Sequence, residues 1–286
     1  MNTKGKCIYP WFILPSAIIV IIYLIPICNI FYSAFTKSVG SEKVFVGFDN
    51  FTRVAPELPK LIWKTLIWTM GSIIPATVLG LTAALLFQKD TAGKKLMITA
   101  CILPYTIPLV IVATAWTLMY QPNFGLLNIA MVKLGIIEKP ISFLSYDNAM
   151  GSVIVARIWR AMPFAFISYY AAIRSIPAEL YEAAEVDGAK PVHKLLYVTL
   201  PQLVSITSTT LIILTVWTFL VFDIIFTMTG GGPADATNII AVQIYKKSIY
   251  MNDSGGAAVL SLVAIIILFF ITLLYWRLFN KGGETE

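Results

Sequence analysis

The sequence predicts an all-α polytopic membrane protein, and three observations support that fold class. Hydrophobic residues make up 58% of the 286-residue chain. Charged residues make up only 13% of it, well below the roughly 25% that is usual in soluble domains. The apolar residues are also gathered into long runs, and about 20 consecutive apolar residues are enough to cross the hydrocarbon core of a bilayer as one helix.

Six such runs predict six transmembrane helices in a single transmembrane domain that covers residues 1–286. The predicted spans are residues 10–35, 61–87, 96–119, 149–173, 199–228 and 256–278. The first run follows Lys4 and Lys6 and could be a cleaved signal peptide, but it is longer than the roughly 7 to 15 apolar residues of such a peptide. We therefore expect a retained helix. In the third span, Pro104 and Pro108 predict a kink.

The distribution of Lys and Arg predicts how the chain is threaded. These residues are denser in one set of loops, which includes both termini, residues 88–95 and residues 174–197, than in the loops on the other side. Because Lys and Arg are enriched in cytoplasmic loops, both termini and the loop at 174–197 are predicted to be cytoplasmic. The net charge of +6 fits this topology and an affinity for anionic membrane lipids. The sequence has no basic face with interleaved aromatic residues, which is the pattern that would predict nucleic-acid binding.

The loop at 174–197 is a polar, alanine-rich island between two apolar runs. Pro177 suits the first turn of a helix and Gly188 suits a left-handed cap at its end, so a short helix is expected between them. Acidic residues recur along it at helical spacing: Glu179, Glu182 and Glu185. On this pattern the helix is either solvated or docked in a partner's groove. Small and apolar residues on the same helix would suit docking: Leu180, Tyr181, Ala183 and Ala184. The pattern alone leaves both alternatives open.

A spacing that includes this loop carries a resemblance to a known family. An E-A-A triplet is followed by three residues and a glycine, then by nine residues, a valine, one residue and a leucine-proline pair. These motif positions are Glu182, Ala183, Ala184, Gly188, Val198, Leu200 and Pro201. The spacing resembles the signature of permease subunits of binding-protein-dependent ABC importers. Isoleucine is commoner in that family where this chain has Val198, which is a conservative difference.

Further segments resemble the carbohydrate-import branch of that family, of the maltose and glycerol-phosphate type. They are RIWRAMPF at Arg157–Phe164, IRSIPAEL at Ile173–Leu180, DGA at Asp187–Ala189 and FDIIFTMTGGGPADAT at Phe222–Thr237. The resemblance implies the type I importer permease core, with six transmembrane helices and a cytoplasmic coupling helix between spans four and five. It also implies a multi-pass protein of the prokaryotic cytoplasmic membrane that translocates a sugar or oligosaccharide.

The resemblance further implies that the coupling helix docks on a separate ATPase. The residues that it assigns to this contact are Glu182, Ala183, Ala184, Asp187, Gly188, Leu200 and Pro201. The chain has no G-x-x-x-x-G-K-[ST] phosphate loop, so ATP and Mg²⁺ are expected on the ATPase, with no cofactor and no metal on this chain. The other implied partners are a second homologous permease subunit, a second ATPase subunit or domain, and an extracytoplasmic solute-binding protein.

Ionisable residues inside predicted spans are the first candidates for a substrate pathway, because they are costly in a bilayer and usually face a cavity or a partner. The resemblance implies a sugar site between spans four and five. The candidate residues are Arg157, Arg160, Ala161, Phe164, Leu214, Thr218, Val221, Phe222 and Asp223. Two alternatives need no substrate. Arg157 could extend outward to the head groups, or Arg160 and Asp223 could form an ion pair that ties the two spans together.

Rival functions have less support in the sequence. A neutral oligosaccharide is the default substrate, whereas Arg157 favours an acidic sugar or glycerol phosphate. The sequence has none of the motifs that would predict an enzyme here: H-E-x-x-H, G-x-S-x-G or paired intramembrane aspartates. An ATP-independent channel or ion-coupled transporter remains as an alternative, but it would not need the E-A-A loop.

Two further features have predictions of their own. His193 stands at no metal-ligand spacing. The glycines at 230–232 predict a tight turn in an external loop that receives the binding protein.

Overall fold

A computed structural model describes residues 9–39, 42–88 and 92–280. Helices dominate this part of the chain. In order they are α1 (Tyr9–Ala34), α2 (Asp49–Val54), α3 (Leu58–Leu86), α4 (Lys94–Thr106), α5 (Leu109–Met119), α6 (Leu126–Lys133), α7 (Ala149–Arg174), α8 (Ala178–Val186), α9 (Pro191–Lys194), α10 (Leu200–Gln202), α11 (Val204–Leu220), α12 (Asp223–Thr229), α13 (Ile240–Tyr245) and α14 (Ser254–Asn280). A 3₁₀ turn covers Ala55–Glu57, and π-helical turns cover Leu195–Thr199 and Lys246–Tyr250.

Among the described residues, four helical segments are long and apolar enough to cross a bilayer. They lie in α1, in Asp49–Leu86, which includes α2 and α3, in α7 and in α14. Two bent helix pairs raise the number to six if each pair is one span. This architecture agrees with the predicted fold class. The hairpin of β1 (Thr36–Val39) and β2 (Glu42–Phe45), an antiparallel pair, was not predicted from the sequence.

The third predicted span, residues 96–119, is broken rather than kinked. Its two halves, α4 and α5, meet at an angle of 101°. Ile107 and Pro108 both have extended backbone, with ψ values of 133° and 141°. The ring of a proline disfavours the helical conformation at the residue before it, so α4 cannot continue through Ile107. The predicted kink is therefore corrected to a full break.

The fifth predicted span, residues 199–228, is broken twice. The segment Pro191–Gln202 meets α11 at an angle of 62°. A second break follows α11, because Val221 turns to extended backbone with ψ 122° before α12 begins. Apolar residues run through both breaks, which is why hydropathy alone predicted one continuous helix.

Several residues used to predict the topology lie outside the described residues. They are Lys4, Lys6, Lys89 and Lys281, and Cys7 lies outside them as well. The cytoplasmic location of both termini therefore stays a prediction.

The described chain divides into two compact units, and one comprises the residues up to Pro59 together with Gln243–Ile266. In this unit the buried Asn50 fixes the start of the hairpin. Its Nδ2 donates hydrogen bonds to the backbone oxygens of Ala34 and Thr36, both at 2.9 Å. Gly255 lies so close that a Cβ on it would be 2.5 Å from the Asn50 side chain. Glycine is therefore required at this position by close packing.

The same unit contains four charged side chains that we call the ion-pair cluster: Arg53, Glu57, Lys247 and Asp253. Arg53 donates from Nη1 and Nη2 to the two carboxylate oxygens of Asp253, at 2.9 and 2.8 Å. Lys247 Nζ lies 2.8 Å from Glu57 Oε1. Burial acts to raise the pKa of Asp253, but hydrogen bonds from Arg53 and the Gly256 backbone, with the charges of Arg53 and Lys247, outweigh it and lower the pKa.

The other unit comprises Lys60–Val242 and the residues from Ile267 onward. Its core has two buried apolar clusters. One includes Trp68, Ala113, Tyr120, Val153, Ile224 and Ile239, and the other includes Ile73, Ala161, Phe166, Tyr169, Leu203 and Leu214. Between α3 and α7, a Cβ on Gly80 would lie 2.6 Å from the Cβ of Ala165. This small residue lets α3 and α7 pack closely.

Candidate functional site

The predicted coupling loop, residues 174–197, contains the expected short helix, α8. Gly188 follows it with φ +75°. The backbone N–H groups of Gly188 and Ala189 donate to carbonyls of the last helical turn, both at 2.9 Å. This pair of bonds with a left-handed residue is a Schellman cap, a conformation that favours glycine. The helix and its glycine cap are therefore confirmed.

A groove of about 610 Å³ lies against α8. It is lined by Leu180, Ala183, Ala184, Asp187, Gly188, Ala189, Lys190, His193, Tyr197 and Val198. The structure thus brings together four of the residues predicted to contact the ATPase: Ala183, Ala184, Asp187 and Gly188. Glu182 is exposed on α8 but does not line the groove. Leu200 and Pro201 lie in α10, also outside the groove.

Exposed apolar side chains lie on the same loop as this groove. Val186 is 89% exposed and Val192 is 63% exposed, although neither lies in a predicted span. Tyr197, which lines the groove, is 74% exposed. Clustered apolar exposure on a polar segment is typical of a protein interaction site. The coupling loop therefore offers an apolar surface with an acidic residue, Glu182, beside it.

Two side-chain contacts tie α8 to the chain that follows it. Tyr181 Oη lies 3.0 Å from Thr199 Oγ1, at hydrogen-bonding distance. Lys194 forms an ion pair with Glu185. The contacts of Thr199 and Lys194 are not predictable from the sequence, because no local pattern indicates which residue of the next segment meets α8.

His193 lines the groove and stacks on the ring of Tyr197, with centroids 6.2 Å apart. Within the described part of the chain, no three His, Cys, Asp or Glu side chains gather as metal ligands would. Gly230 and Gly231 have φ +61° and +87° after α12, so the predicted tight turn is confirmed.

A second cavity, of about 540 Å³, lies where α7 meets the end of α11. It is lined by Tyr105, Leu109, Arg157, Arg160, Val216, Trp217, Leu220, Val221, Phe222 and Asp223. Five residues predicted for the substrate pathway are among them: Arg157, Arg160, Val221, Phe222 and Asp223. The other four line no part of it. Ala161, Leu214 and Thr218 are buried, and Phe164 packs on Trp217 with ring centroids 5.0 Å apart.

Arg157 is held inside the protein by Thr218. The arginine is only 5% exposed, and its Nε and Nη2 donate to Thr218 Oγ1 at 3.2 and 2.8 Å. The alternative in which Arg157 extends to the head groups is therefore wrong. The Thr218 carbonyl accepts a hydrogen bond from Trp68 Nε1 at 2.8 Å. Because α11 ends two residues later, this indole stabilises a carbonyl that the helix itself would leave unpaired.

Arg160 faces the same cavity with fewer partners. Its guanidinium carbon lies 4.5 Å from the ring centroid of Tyr105, a cation–π distance. Its Nε is buried and has no hydrogen-bond partner in the described chain. No ion pair within 4.0 Å joins Arg160 to Asp223, so the predicted tie between spans is not formed in this conformation. The cavity thus holds two guanidinium groups and one carboxylate.

Tyr105 and Trp217, which line this cavity, and Trp68, which donates to the Thr218 carbonyl, were not predicted as site residues from the sequence. Tyr105 lies just before the break between α4 and α5, so its position depends on a bend that hydropathy did not reveal. Trp68 is 150 positions from the carbonyl that it contacts. Trp217 was one of many aromatic residues, and only the fold shows that it lines the cavity.

The chain is similar to members of one protein family over most of its length. The model of the family described as "Binding-protein-dependent transport system inner membrane component" matches residues 76–281. The trehalose/maltose transport system permease protein MalF of Thermococcus litoralis is 31% identical over 273 residues, or 93% of this chain and 91% of the relative. The inner membrane ABC transporter permease protein YcjO of Escherichia coli K12 is 32% identical over 85% of this chain and 83% of the relative.

Among solved structures, a similar chain belongs to a bacterial ABC transporter involved in the import of the acidic polysaccharide alginate. The TM-score is 0.85, with 24% identity, and the match covers 99% of this chain and 98% of that chain. At this identity the likeness establishes a shared fold.

Proposed function

Because this chain belongs to the family of binding-protein-dependent transport system inner membrane components, we propose that it is a permease subunit of an ATP-driven importer of a sugar or oligosaccharide. In this proposal an extracytoplasmic binding protein delivers the substrate. This chain and a second homologous permease subunit enclose the path, and two ATPase subunits or domains drive it.

The observation that carries the proposal is the coupling loop. This loop has a groove, two exposed apolar side chains, Val186 and Val192, and a helix that ends in a glycine cap. Glu182 is exposed and forms no hydrogen bond or ion pair with the described residues, so it is available to a basic residue of a partner. A transporter that is driven by a separate ATPase requires such a surface, whereas a channel or an ion-coupled transporter does not.

The same proposal assigns ATP and Mg²⁺ to the ATPase subunits. This chain then binds no cofactor and no metal, and it catalyses no reaction itself. ATP is cytoplasmic, so the coupling loop and both termini are cytoplasmic in this proposal. The density of Lys and Arg in that set of loops supports this orientation.

A sugar is the proposed substrate. The relative from Thermococcus litoralis is named for trehalose and maltose. In the cavity, the ring of Trp217 offers an apolar face to sugar C–H groups, and the polar atoms of Arg157, Arg160 and Asp223 can fix hydroxyl groups. A second candidate is an acidic sugar or glycerol phosphate. It is favoured because the two guanidinium groups outnumber the carboxylate, and guanidinium groups bind carboxylates and phosphates well.

Assembly and activity of the complete transporter test the proposed function. The chain would be co-expressed with its partner permease, ATPase subunits and binding protein, purified through a tag on this chain, and reconstituted in liposomes. We expect the ATPase to co-purify, and substrate uptake to require ATP. Uptake without ATP, or purification without any ATPase, would contradict the proposal in favour of a channel or an ion-coupled transporter.

Matched substrates separate the two substrate candidates. Uptake of maltotriose and of trigalacturonate, a neutral and an acidic trisaccharide, would be compared in the native protein and in Arg157→Ala and Arg160→Gln variants. If the substrate is acidic, each variant should lower uptake of the acidic sugar by about tenfold, as expected for a lost charged hydrogen bond. Unchanged acidic uptake in both variants would rule out an arginine contact with the carboxylate.

A further inference from the structure

Helix α8 also contacts its own chain, through a residue that lies outside the groove. Tyr181 does not line the groove and is half-buried. Its hydroxyl meets the hydroxyl of Thr199 at 3.0 Å. Thr199 is only 4% exposed, so this hydrogen bond is protected from water at one end. One side of α8 is thus open to a partner, while Tyr181 connects the helix to its own chain.

Thr199 occupies a particular point of the fold. It is the last residue of the π-helical turn Leu195–Thr199, and its hydroxyl also lies 3.4 Å from the carbonyl of Lys194. The helical segment bends by 62° before α11 begins a few residues later. Single π-helical turns are frequent at functional sites. Here the turn lies between the coupling loop and α11.

Helix α11 continues from this point to the arginine-lined cavity. Its last turns carry Val216 and Trp217, which line the cavity, and Thr218, which holds Arg157. If α8 moves Thr199, the movement therefore reaches the start of α11. The other end of α11 lines the cavity.

The competing tie between α8 and this segment is weaker. The ion pair of Glu185 and Lys194 has a glutamate side chain that is 69% exposed, and exposed ion pairs contribute little because water and salt screen them. The hydrogen bond at the buried Thr199 is not screened in this way. Of the two side-chain links, that of Tyr181 is the better mechanical connection.

We propose that the hydrogen bond between Tyr181 and Thr199 transmits the movement of the coupling helix to α11, so that both are positioning residues for ATP-driven opening of the cavity. This inference rests on the proposed function, since it requires an ATPase docked on α8. It assigns the two residues to transmission and not to docking.

A cysteine placed in the cavity measures transmission directly. Val216→Cys would be introduced after replacement of Cys7, Cys28 and Cys101 by serine. Its rate of labelling by a water-soluble methanethiosulfonate would be measured in the complete transporter, with and without ADP–vanadate trapped in the ATPase. In Tyr181→Phe and in Thr199→Val, we expect the vanadate-dependent change in rate to fall by about fivefold, the effect of one hydrogen bond.

Three comparisons distinguish transmission from a general structural effect. The double variant should be no worse than either single variant, because both remove the same bond, and Thr199→Ser, which keeps a hydroxyl, should restore the change. Tyr146→Phe and Thr82→Val serve as matched controls elsewhere in the chain and should behave as the native protein. Vanadate trapping and recovery of the ATPase should be unchanged in all variants.

An unchanged labelling response in Tyr181→Phe and Thr199→Val would overturn the inference. Loss of ATPase recovery in these variants would also overturn it, because the residues would then act in docking. If the native chain itself recovers no ATPase, the proposed function fails, and this inference fails with it.

Discussion

The coupling loop and the ion-pair cluster are two polar regions in a hydrophobic chain. The cluster pairs all four of its charged side chains with one another, whereas the loop pairs Glu185 with Lys194 but leaves Glu182 exposed. In the cluster, Arg53 and Asp253 meet through two hydrogen bonds, and Lys247 meets Glu57. In the loop, Glu182 forms no hydrogen bond or ion pair with the described residues, and Val186 is 89% exposed. Charges that are satisfied within the chain stabilise the fold. Charges and apolar groups that are left open are available to a partner.

Single substitutions can therefore measure two quantities separately: the free energy of unfolding and the assembly of the chain with the ATPase. Removing one member of a buried ion pair is strongly destabilising, since the remaining charge loses its partner. Substitutions at exposed positions usually change the free energy of unfolding by less than about 0.5 kcal/mol. Variants in the cluster should therefore change stability, and variants in the loop should change assembly with the ATPase.

The largest effect is expected for Gly188→Pro in the coupling loop. Gly188 has φ +75° and donates a backbone hydrogen bond at 2.9 Å, whereas proline is restricted to φ near −65° and has no N–H. The Schellman cap cannot form, and a cost of about 3 kcal/mol corresponds to a roughly hundredfold loss of affinity for the ATPase. The amount of ATPase that co-purifies with the chain from membranes measures the effect.

Gly135→Pro is the matched control, because Gly135 has φ +69° and its N–H also donates to a backbone carbonyl, at 3.0 Å. The local strain is similar, but Gly135 lies outside the coupling loop. Its variant should retain the ATPase. Equal recovery of the ATPase with both variants would remove the special role of the loop.

The next largest effect is expected for Asp253→Asn in the ion-pair cluster. Arg53 and Lys247 lose their shared carboxylate charge, and the free energy of unfolding should fall by about 2 kcal/mol, less than for a fully buried pair because Arg53 is partly exposed. Thermal unfolding of the purified transporter measures this change. ATPase recovery below the melting temperature should be unaffected.

Asp147→Asn is the control for the cluster, since Asp147 is exposed. It should leave the melting temperature unchanged. The division of roles between the two regions is wrong if Asp253→Asn has the same melting temperature as the native protein, or if it lowers ATPase recovery as Gly188→Pro does.

A smaller effect is expected for Glu182→Lys. Reversing an exposed charge on α8 should weaken docking by about tenfold, as for a lost charged contact at an interface, and should leave the melting temperature unchanged. Co-purification of the ATPase over a range of salt concentrations measures the loss. Glu138→Lys makes the same change at an exposed position outside the loop and should have no effect. Native ATPase recovery by Glu182→Lys would count against the assigned contact.

The smallest effect is expected for the pH dependence of the cluster. The pKa of Asp253 is lower in the folded protein than its ordinary value, so its contribution is complete above the ordinary value of about 3.9 and is lost as the pH falls through the lowered pKa. The melting temperatures of the native protein and Asp253→Asn should therefore converge only at strongly acidic pH. A difference that stays constant across this range would contradict the assigned ion pairs.

The sequence predicted the features of this molecule that depend on local pattern. Apolar runs predicted the helical spans, and the spacing of Glu182 and Gly188 predicted a capped coupling helix. The arginines of RIWRAMPF were also correctly brought to one cavity with Asp223. Helix periodicity, glycine caps and intramembrane charges leave signals within a few residues, and this is why the helices, the cap and the shared cavity could be predicted. The roles of these residues in docking and transport stay predictions.

The features that the sequence did not predict depend on distant contacts. Arg53 and Asp253 are 200 positions apart, and nothing local pairs them. The break at Val221 lies within an apolar run. The indole of Trp68, which donates to the nearby Thr218 carbonyl, comes from another helix. Tyr181 and Thr199 are closer, yet their contact depends on the geometry of the turn between them. Tertiary packing determines each of these features.

Photocrosslinking tests the central claim, that the coupling loop is the docking surface of a separate ATPase, most directly. A photoreactive p-benzoylphenylalanine would replace Val186 in the loop or, as a control, the exposed Val44 of the hairpin. After irradiation of membranes that contain the complete transporter, we expect an adduct between position 186 and a subunit that carries a G-x-x-x-x-G-K-[ST] phosphate loop, and no such adduct from position 44. The absence of this adduct at position 186, or equal adducts at both positions, would contradict the claim.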